Sequence, residues 1–462
     1  MYFKIIYIVF SIILAIYSCL MLLFVIYGFV GIFWKRKFKE TNKKSRLAIV
    51  VSARNEENVI TNLIKSIKNE KYPKEMVSIF IVAHNCTDST ASISRKNGAI
   101  VYEYNNLNES KKGFALKYLF EKIDEDYGIN SFDGYIVLDS DNTIKEDYLS
   151  KMNDAFIAND KKCIITSYRN SSNFGENSIS AQYGLFFMMS NRLGLRGRTV
   201  LNASGRISGT GFLIPSEYLL EGWNYYSLTE DLEMTACEII NNHKIIYCDE
   251  AEFYDEQPTK FKVMYKQRLR WEKGLLIIFK EKALDLIKAI FNKNSKYKYS
   301  IYDTLTNIMP VTLILVSIYV LQFLFLFIGF LFNIDKGFST IFLNTGDFTS
   351  FGKLLLEIFA IENSNSIIFQ LLFSTGFIYS MLRTILLFII VAIIGSIFIY
   401  IIEGKRIKNV SLWIKIKSSL LYPTFLILQF IIDVNALFLK KVSWDTIPHK
   451  GKNNRINKWF LI

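Results

Sequence analysis

The chain has 462 residues, room for about three units of ~150 residues, and 51% of it is apolar against 21% charged. That balance excludes a disordered chain and is too greasy for an ordinary water-soluble enzyme, which leaves an integral membrane protein with a water-soluble part. Fifty-five Lys and Arg against 42 Asp and Glu give +13, a charge that suits anionic lipid, anionic substrates or nucleic acid, while five scattered cysteines without a CxxC and three histidines argue against a zinc site or a disulfide framework.

Residues 5–34 carry no charge and are long enough for one tilted membrane span. Lys35, Arg36, Lys37, Lys39, Lys43, Lys44 and Arg46 follow at once. A signal peptide would need a shorter apolar region, and positive flanks stay cytosolic, so 1–45 is read as an N-terminal transmembrane helix with a basic flank. From 46 to 260 short apolar runs alternate with amphipathic stretches. Strands are expected at 47–52, 77–83, 99–103 and 135–138, each followed by a helical pattern. Such a βαβα order predicts a mostly parallel sheet with helices on both faces and ligands at the carboxyl ends of the strands. The polar clusters fall there: Arg54-Asn55-Glu56-Glu57, His84-Asn85-Cys86-Thr87-Asp88 and Asp139-Ser140-Asp141.

Residues 261–303 mix Lys and Arg with apolar residues at helical spacing and predict interfacial amphipathic helices. The part from 304 to 439 reads as membrane again, with uncharged runs at 304–334, broken by Pro310, at 366–402 with the single charge Arg383, and at 418–432. The acidic excess between the first two places that loop outside. Either 366–402 is a hairpin turning at Arg383, giving five spans, or it is one over-long span followed by a re-entrant or interfacial segment at 418–439. Both put the basic tail, 440–462, inside.

Three motifs carry chemistry. Asp139-Ser140-Asp141 ends an apolar strand and offers two hard oxygen ligands for a divalent cation beside phosphates, although a lone DxD is as well explained by a turn or helix cap. Thr229-Glu230-Asp231 opens a helical stretch, where acids suit the helix dipole or supply a carboxylate base. Gln267-Arg268-Leu269-Arg270-Trp271 is a Q-x-x-R-W pattern, or simply a basic helix snorkelling against lipid.

In order along 46–275 stand VVSARNEENVI, VAHNCTDST, KKGFAL, VLDSD, SGTGFLI, LTEDLE and AEFYDEQPTKFKVMYKQRLRWEKG. With these motifs the chain resembles a membrane-integrated family-2 glycosyltransferase, the group of bacterial cellulose, chitin, hyaluronan and poly-N-acetylglucosamine synthases. Trp444-Asp445-Thr446-Ile447-Pro448-His449 is similar to a C-terminal segment of such enzymes. The pattern departs at one place: where an aspartate usually contacts the nucleoside, this chain has His84 beside Asn85.

The resemblance implies an α/β GT-A-like glycosyltransferase domain of mostly parallel sheet, inserted between α-helical transmembrane segments, that performs an inverting displacement. It implies Mn²⁺ or Mg²⁺ on Asp141 and Asp139, with donor contacts from Arg54, Asn55, Glu56, His84, Lys112, Asp139, Gln267, Arg268 and Arg270. Asp231, beside Glu230, is the expected catalytic base, and Trp271 with Gly209-Thr210-Gly211-Phe212 the expected acceptor side. The expected partners are a nucleotide-sugar donor, a growing glycan or lipid acceptor and membrane lipids, with an accessory export subunit left open and no nucleic acid. The expected place is the cell membrane, multi-pass, with the catalytic domain cytosolic.

Two functions fit. One is a processive synthase that uses UDP-glucose or UDP-N-acetylglucosamine to elongate and export a β-linked polysaccharide. The other is a single transfer of one sugar to a lipid. A transporter or degenerate scaffold is disfavoured because every expected acid and the QxxRW pattern are intact, and a nucleic-acid binder because the basic residues gather beside apolar runs.

Overall fold

The computed structural model describes residues 2–331, 367–374 and 376–440, together with 349 and 353. The acidic loop and the tail discussed above lie outside the described residues.

The N-terminal run forms α1 (Tyr2–Leu20) and α2 (Leu22–Phe33), separated only at Met21. The central domain then runs β1 (Leu47–Ala53), α3 (Ile60–Lys68), β2 (Val77–His84), α4 (Thr90–Lys96), β3 (Ile100–Tyr104), α5 (Lys112–Tyr127), β4 (Gly134–Asp139), β5 (Thr143–Ile144) and α6 (Tyr148–Ile157). It continues through β6 (Cys163–Ser171), α7 (Ser178–Met189), a π-helical stretch Ser190–Arg196, α8 (Gly197–Val200), β7 (Phe212–Pro215), α9 (Glu230–Ile240) and β8 (Lys244–Asp255).

These strands make one sheet in the order β3-β2-β1-β4-β7-β6-β8-β5. β3, β2, β1 and β4 are parallel, β6 is parallel to β8, and the short β7 and β5 run antiparallel to their neighbours. Alternation along β1 divides the core. Leu47, Ile49 and Val51 pack toward α3 and α6, while Ala48 and Val50 pack toward α5 and Trp223. With both faces covered, the strand ends become the place where polar groups are left open.

Beyond the sheet come α10 (Phe261–Phe291), α11 (Lys298–Ile308), α12 (Val311–Leu331), α13 (Ile367–Phe373), α14 (Phe377–Ile402) and α15 (Leu412–Phe438). Among the described residues three stretches are long and apolar enough to cross a membrane: 8–33, 377–402 and 412–438. A fourth arises if α11 and the first part of α12, bent by 60°, count as one span. The bend falls at Pro310, which cannot donate a backbone hydrogen bond.

Two expectations need correction. α14 runs unbroken through Arg383, so no hairpin turns there; the helix begins at Phe377. And 304–308 belongs to α11, which is buried against α9 and α10 rather than set in an apolar run of its own, because Asp303 pairs with Arg198 at 2.5 Å.

α2 is locked onto the domain by backbone contact. A Cβ on Gly31 would lie 2.1 Å from the Arg192 carbonyl oxygen, and one on Gly197 would lie 1.9 Å from that of Tyr27. Only glycine permits this approach. Gly197→Val should therefore lower the melting temperature of the detergent-solubilised protein, with a cost of about 1–3 kcal/mol or more from overpacking. An unchanged melting curve would show that the contact yields freely.

Candidate active site

The DSD turn, the TED helix start and the loop before β7 converge on one ammonium group. Lys112 enters at the start of α5, and its Nζ donates to Asp139 Oδ1 at 2.5 Å and to the Gly209 carbonyl at 2.8 Å, and stands 3.6 Å from Glu230 Oε1. Its side chain is 11% exposed. Burial works against its charge, but Asp139 and Glu230 outweigh burial and hold its pKa above the ordinary value.

The acids respond to the same environment. Burial pushes Glu230 up to about 7 against the attraction of Lys112, with the Asp231 charge adding to the rise. Burial also raises Asp231, although N–H groups of Leu232 and Gly209 and the charge of Lys112 pull it back. A raised carboxyl just inside a cleft is suited to accept a proton at neutral pH.

The DSD turn is braced by its neighbours. The Asp139 N–H donates to Thr210 Oγ1 at 2.8 Å, and Thr210 in turn donates to Asn142 Oδ1 at 2.6 Å. Asp141 Oδ1 accepts from the Asn142 amide at 3.0 Å, and its Oδ2 lies 3.4 Å from the Glu256 N–H, at the end of β8. Among the described residues no group of three or more His, Cys, Asp or Glu gathers as a metal cage. Two carboxylates completed by diphosphate oxygens are nevertheless the donor set that Mg²⁺ or Mn²⁺ takes with a phosphate substrate, so Asp139 and Asp141 fit the expected ion.

At the β1 and β2 ends, Asn55 turns with φ 56° and its side-chain oxygen accepts from the Thr87 N–H at 2.8 Å. Arg54 Nη1 reaches the Ser110 carbonyl at 3.5 Å, and the Glu56 N–H donates to Thr90 Oγ1 at 2.8 Å. His84 is fully buried: its Nε2 bonds the Glu109 carbonyl at 2.8 Å, its ring stacks on Tyr104, and Nδ1 has no hydrogen-bond partner among the described residues. Burial lowers its pKa, with a nearby Arg54 charge acting the same way. The expected direct nucleoside contact is thus covered, since a strand-end aromatic can fill the space behind the cleft where a carboxylate would need solvent.

α10 splits the QxxRW residues between two faces. Residues two apart on a helix point about 200° from each other, so Arg268 and Arg270 cannot serve one ligand. Arg270 lies near enough to lower the Glu230 pKa, whereas Arg268, only 6% exposed, is turned away. Its guanidinium donates to Gln429 Oε1 at 2.7 Å and to the Phe425 carbonyl at 2.8 Å, both on α15. Glu272, one turn on, accepts from Gln429 at 3.0 Å. Arg268 is therefore corrected from a donor contact to a tie between helices.

Gln267 keeps a buried Oε1 without a hydrogen-bond partner among the described residues, and Trp271 sits edge-on to Tyr183 and Phe187 at 6.0 and 6.2 Å. Thr210 and Phe212, expected on the acceptor side, are each 2% exposed: Thr210 holds the DSD turn and Phe212 begins β7 in the core. Gly209 and Gly211 carry the turn between them with φ 75° and 71°. The sequence reading missed Arg169 and Asp255 at the ends of β6 and β8, paired at 2.6 Å, with Arg169 3.8 Å above the Phe187 ring and reaching the Ser208 carbonyl. Acids closing AEFYDEQP were the available signal, once that stretch is read as a strand.

α10 touches the acidic motif directly. A Cβ on Gly274 would lie 2.4 Å from Thr229 Cγ2. Gly274→Ala should push the helix from Thr229-Glu230-Asp231 and cut the transfer rate on the order of a hundred-fold, since small misplacements of reacting groups are costly. Nucleotide binding, measured by calorimetry, should change little; unchanged transfer would show that α10 need not seat there.

A largely parallel sheet with DxD, an acidic pair and a basic aromatic helix at its strand ends defines an α/β domain of GT-A-like fold. Residues 45–274 match the family described as "Glycosyltransferase like family 2". The chain is similar to curated glycosyltransferases. It is 24% identical over 243 residues to the Bacillus subtilis protein named "Probable glycosyltransferase YdaM", covering 52% of this chain and 57% of that one. It is 25% identical over 241 residues to a beta-monoglucosyldiacylglycerol synthase from Nostoc, covering 49% and 48%. The chain spans about half the length of the curated relatives it matches. Among solved structures, a Pyrobaculum calidifontis mannosyltransferase in complex with GDP-Man and Mn²⁺ aligns with a TM-score of 0.49 and 13% identity over 83% of this chain and 98% of that one.

Proposed function

We propose that the protein is an inverting, membrane-bound transferase that takes a UDP-sugar, UDP-glucose or UDP-N-acetylglucosamine, and elongates a β-linked polysaccharide on the cytosolic side for export. The observation that carries this reading is the seating of the QxxRW helix on the acidic pair through Gly274 and Thr229. It sets an acceptor platform, a base and a phosphate-side cation within one cleft.

Arg54, Asn55 and Glu56 line the nucleoside end, and Lys112 and Arg270 hold positive charge where the leaving diphosphate gains negative charge. Asp231 accepts the proton of the attacking hydroxyl. Glu230 sets the field around it and, with Lys112, keeps the base from drifting. A divalent ion held by Asp139 and Asp141 would neutralise diphosphate charge. Trp271 borders the acceptor side, its indole supported by Tyr183 and Phe187.

Contacts support a topology for this reading. Glu403, at the end of α14, is buried in ion pairs with Arg192 and Arg406, so this end of α14 lies on the catalytic side of the membrane. At the far end of α15, Asn435 and Ala436 meet Tyr265 and Lys273 of α10. Both ends of α15 thus stay with the domain, which favours an interfacial helix over a further crossing. In this reading α1 with α2, α12 and α14 serve as spans.

A second reading, single transfer to a lipid, is favoured by the relatives from three cyanobacteria named as beta-monoglucosyldiacylglycerol synthases. Product size separates the two. Purified protein with a panel of UDP-sugars and Mn²⁺ or Mg²⁺ should release UDP and give a ladder; one defined glycolipid would establish the lipid reading. Trp271→Phe should shorten or abolish the ladder while leaving UDP binding intact, and a full-length ladder would remove Trp271 from the acceptor site. Chelation should stop transfer in the parent protein, and unchanged turnover would reject the metal assignment.

A further inference from the structure

A cavity of about 330 Å³ opens where the ends of α2 and α14 meet the catalytic domain. None of its lining residues belongs to the nucleotide cleft. Five cations face it: Lys35, Arg192, Arg196, Lys405 and Arg406. Its acids are Asp249 and Glu403.

Much of this charge is already paired. Arg196 and Arg406 donate to Asp249 at 2.7 and 2.9 Å, and Arg192 to Glu403 at 2.9 Å. Lys35 reaches outward to Glu250 at 3.5 Å, and Arg406 stands 4.0 Å from Glu252. Three guanidiniums therefore share two lining carboxylates, and Lys405 makes no ion pair with a described residue. Arg192 Nε and Arg406 Nη1 are buried without a hydrogen-bond partner among the described residues. The excess of cations over acids along the opening suits an anion with several oxygens.

The rim supplies the second half of the argument. Phe33 and Trp34, at the end of α2, are 63% and 54% exposed, and Ile402 of α14 lines the opening with them. Aromatic rings at the end of an apolar helix mark the headgroup level of a bilayer. Cations on the domain side and apolar rings on the membrane side match a molecule with a phosphodiester at one end and acyl chains at the other. Inorganic phosphate could use the cations but not the rim.

We propose that this cavity binds the phosphodiester headgroup of an anionic membrane phospholipid, with the acyl chains running along Phe33, Trp34 and Ile402. The inference rests on reading α2 and α14 as membrane spans. A bound lipid would sit beside Arg192, which also caps the Ile32 carbonyl at 2.7 Å, and so fasten the first span to the domain.

The test uses the full-length protein in nanodiscs of dioleoylphosphatidylcholine, with and without one third dioleoylphosphatidylglycerol, with retained lipid counted by native mass spectrometry. The parent should retain phosphatidylglycerol in preference to phosphatidylcholine. Lys35→Gln with Lys405→Gln should lower that retention about thirtyfold, as expected for two basic groups at an anionic surface. Lys65→Gln with Lys68→Gln, an equal charge change on α3, should not alter it. Matching melting curves for the two double variants would exclude misfolding as the cause.

Equal retention of the two lipids by the parent, or undiminished retention by the cavity variant, would overturn the proposal. Inorganic phosphate that raises the melting temperature as much as phosphatidylglycerol does would replace the lipid with a free anion. Carbonate extraction of native membranes distinguishes the underlying reading: release of the parent protein would overturn the spans, whereas retention without lipid preference would overturn only the site.

Discussion

Asp231→Asn is expected to abolish sugar transfer while nucleotide binding stays near the parent's. The change keeps shape and removes a base that contributes roughly a hundred- to ten-thousand-fold. Its burial gives the same result a pH signature. Because burial raises the Asp231 pKa, the acid limb of kcat/KM should lie above the ordinary aspartate range, the rate falling as pH drops and the base takes up its proton. Glu230 titrates with it, so the limb belongs to the pair, and Glu230→Gln should shift it. Near-normal turnover by Asp231→Asn, or a limb at the usual aspartate value, would remove Asp231 from the mechanism.

Lys112→Met is expected to damage both binding and folding. It strips the cation from Asp139 and Glu230, and removing one partner of a buried pair costs about 3–5 kcal/mol. The sign of its pH dependence follows from the acids left behind. A carboxyl whose folded pKa is raised binds its proton more tightly folded than unfolded, so stability is present at low pH and lost as pH rises through the folded pKa. Glu230 is already pushed up to about 7, and without Lys112 it should rise further. The gap in melting temperature between variant and parent should therefore be widest in alkaline buffer and narrow below neutrality. A gap that widens on acidification would show that Lys112 is not the counter-charge of these acids.

Four parallel strands and the polar clusters at their ends were legible because apolar runs alternate with helical patterns from Leu47 onward. β6 and β8 were not, since Ser167, Arg169 and Asn170 in one and Asp249, Glu250 and Glu252 in the other interrupt the apolar signal. Their polar groups are satisfied by partners far along the chain: Asn170 by Glu252, and Arg406 on Asp249. β7, with only four residues, is too short for a period to show. In the site, residue types identified Lys112, Asp139 and Asp231, but helix phase decides between Arg268 and Arg270. That phase was readable from their spacing; the partner claiming Arg268, some 160 residues later on α15, was not.

The same long separation gives the enzyme a built-in order of assembly. A ribosome delivers the nucleotide cleft and α10 well before α15, and domains begin to fold during synthesis. Until Phe425 and Gln429 arrive, the Arg268 guanidinium has neither of its acceptors and α10 lacks the helix that fixes its rotation. On the proposed reading, the growing chain would complete its donor side before the rotation of α10 is fixed.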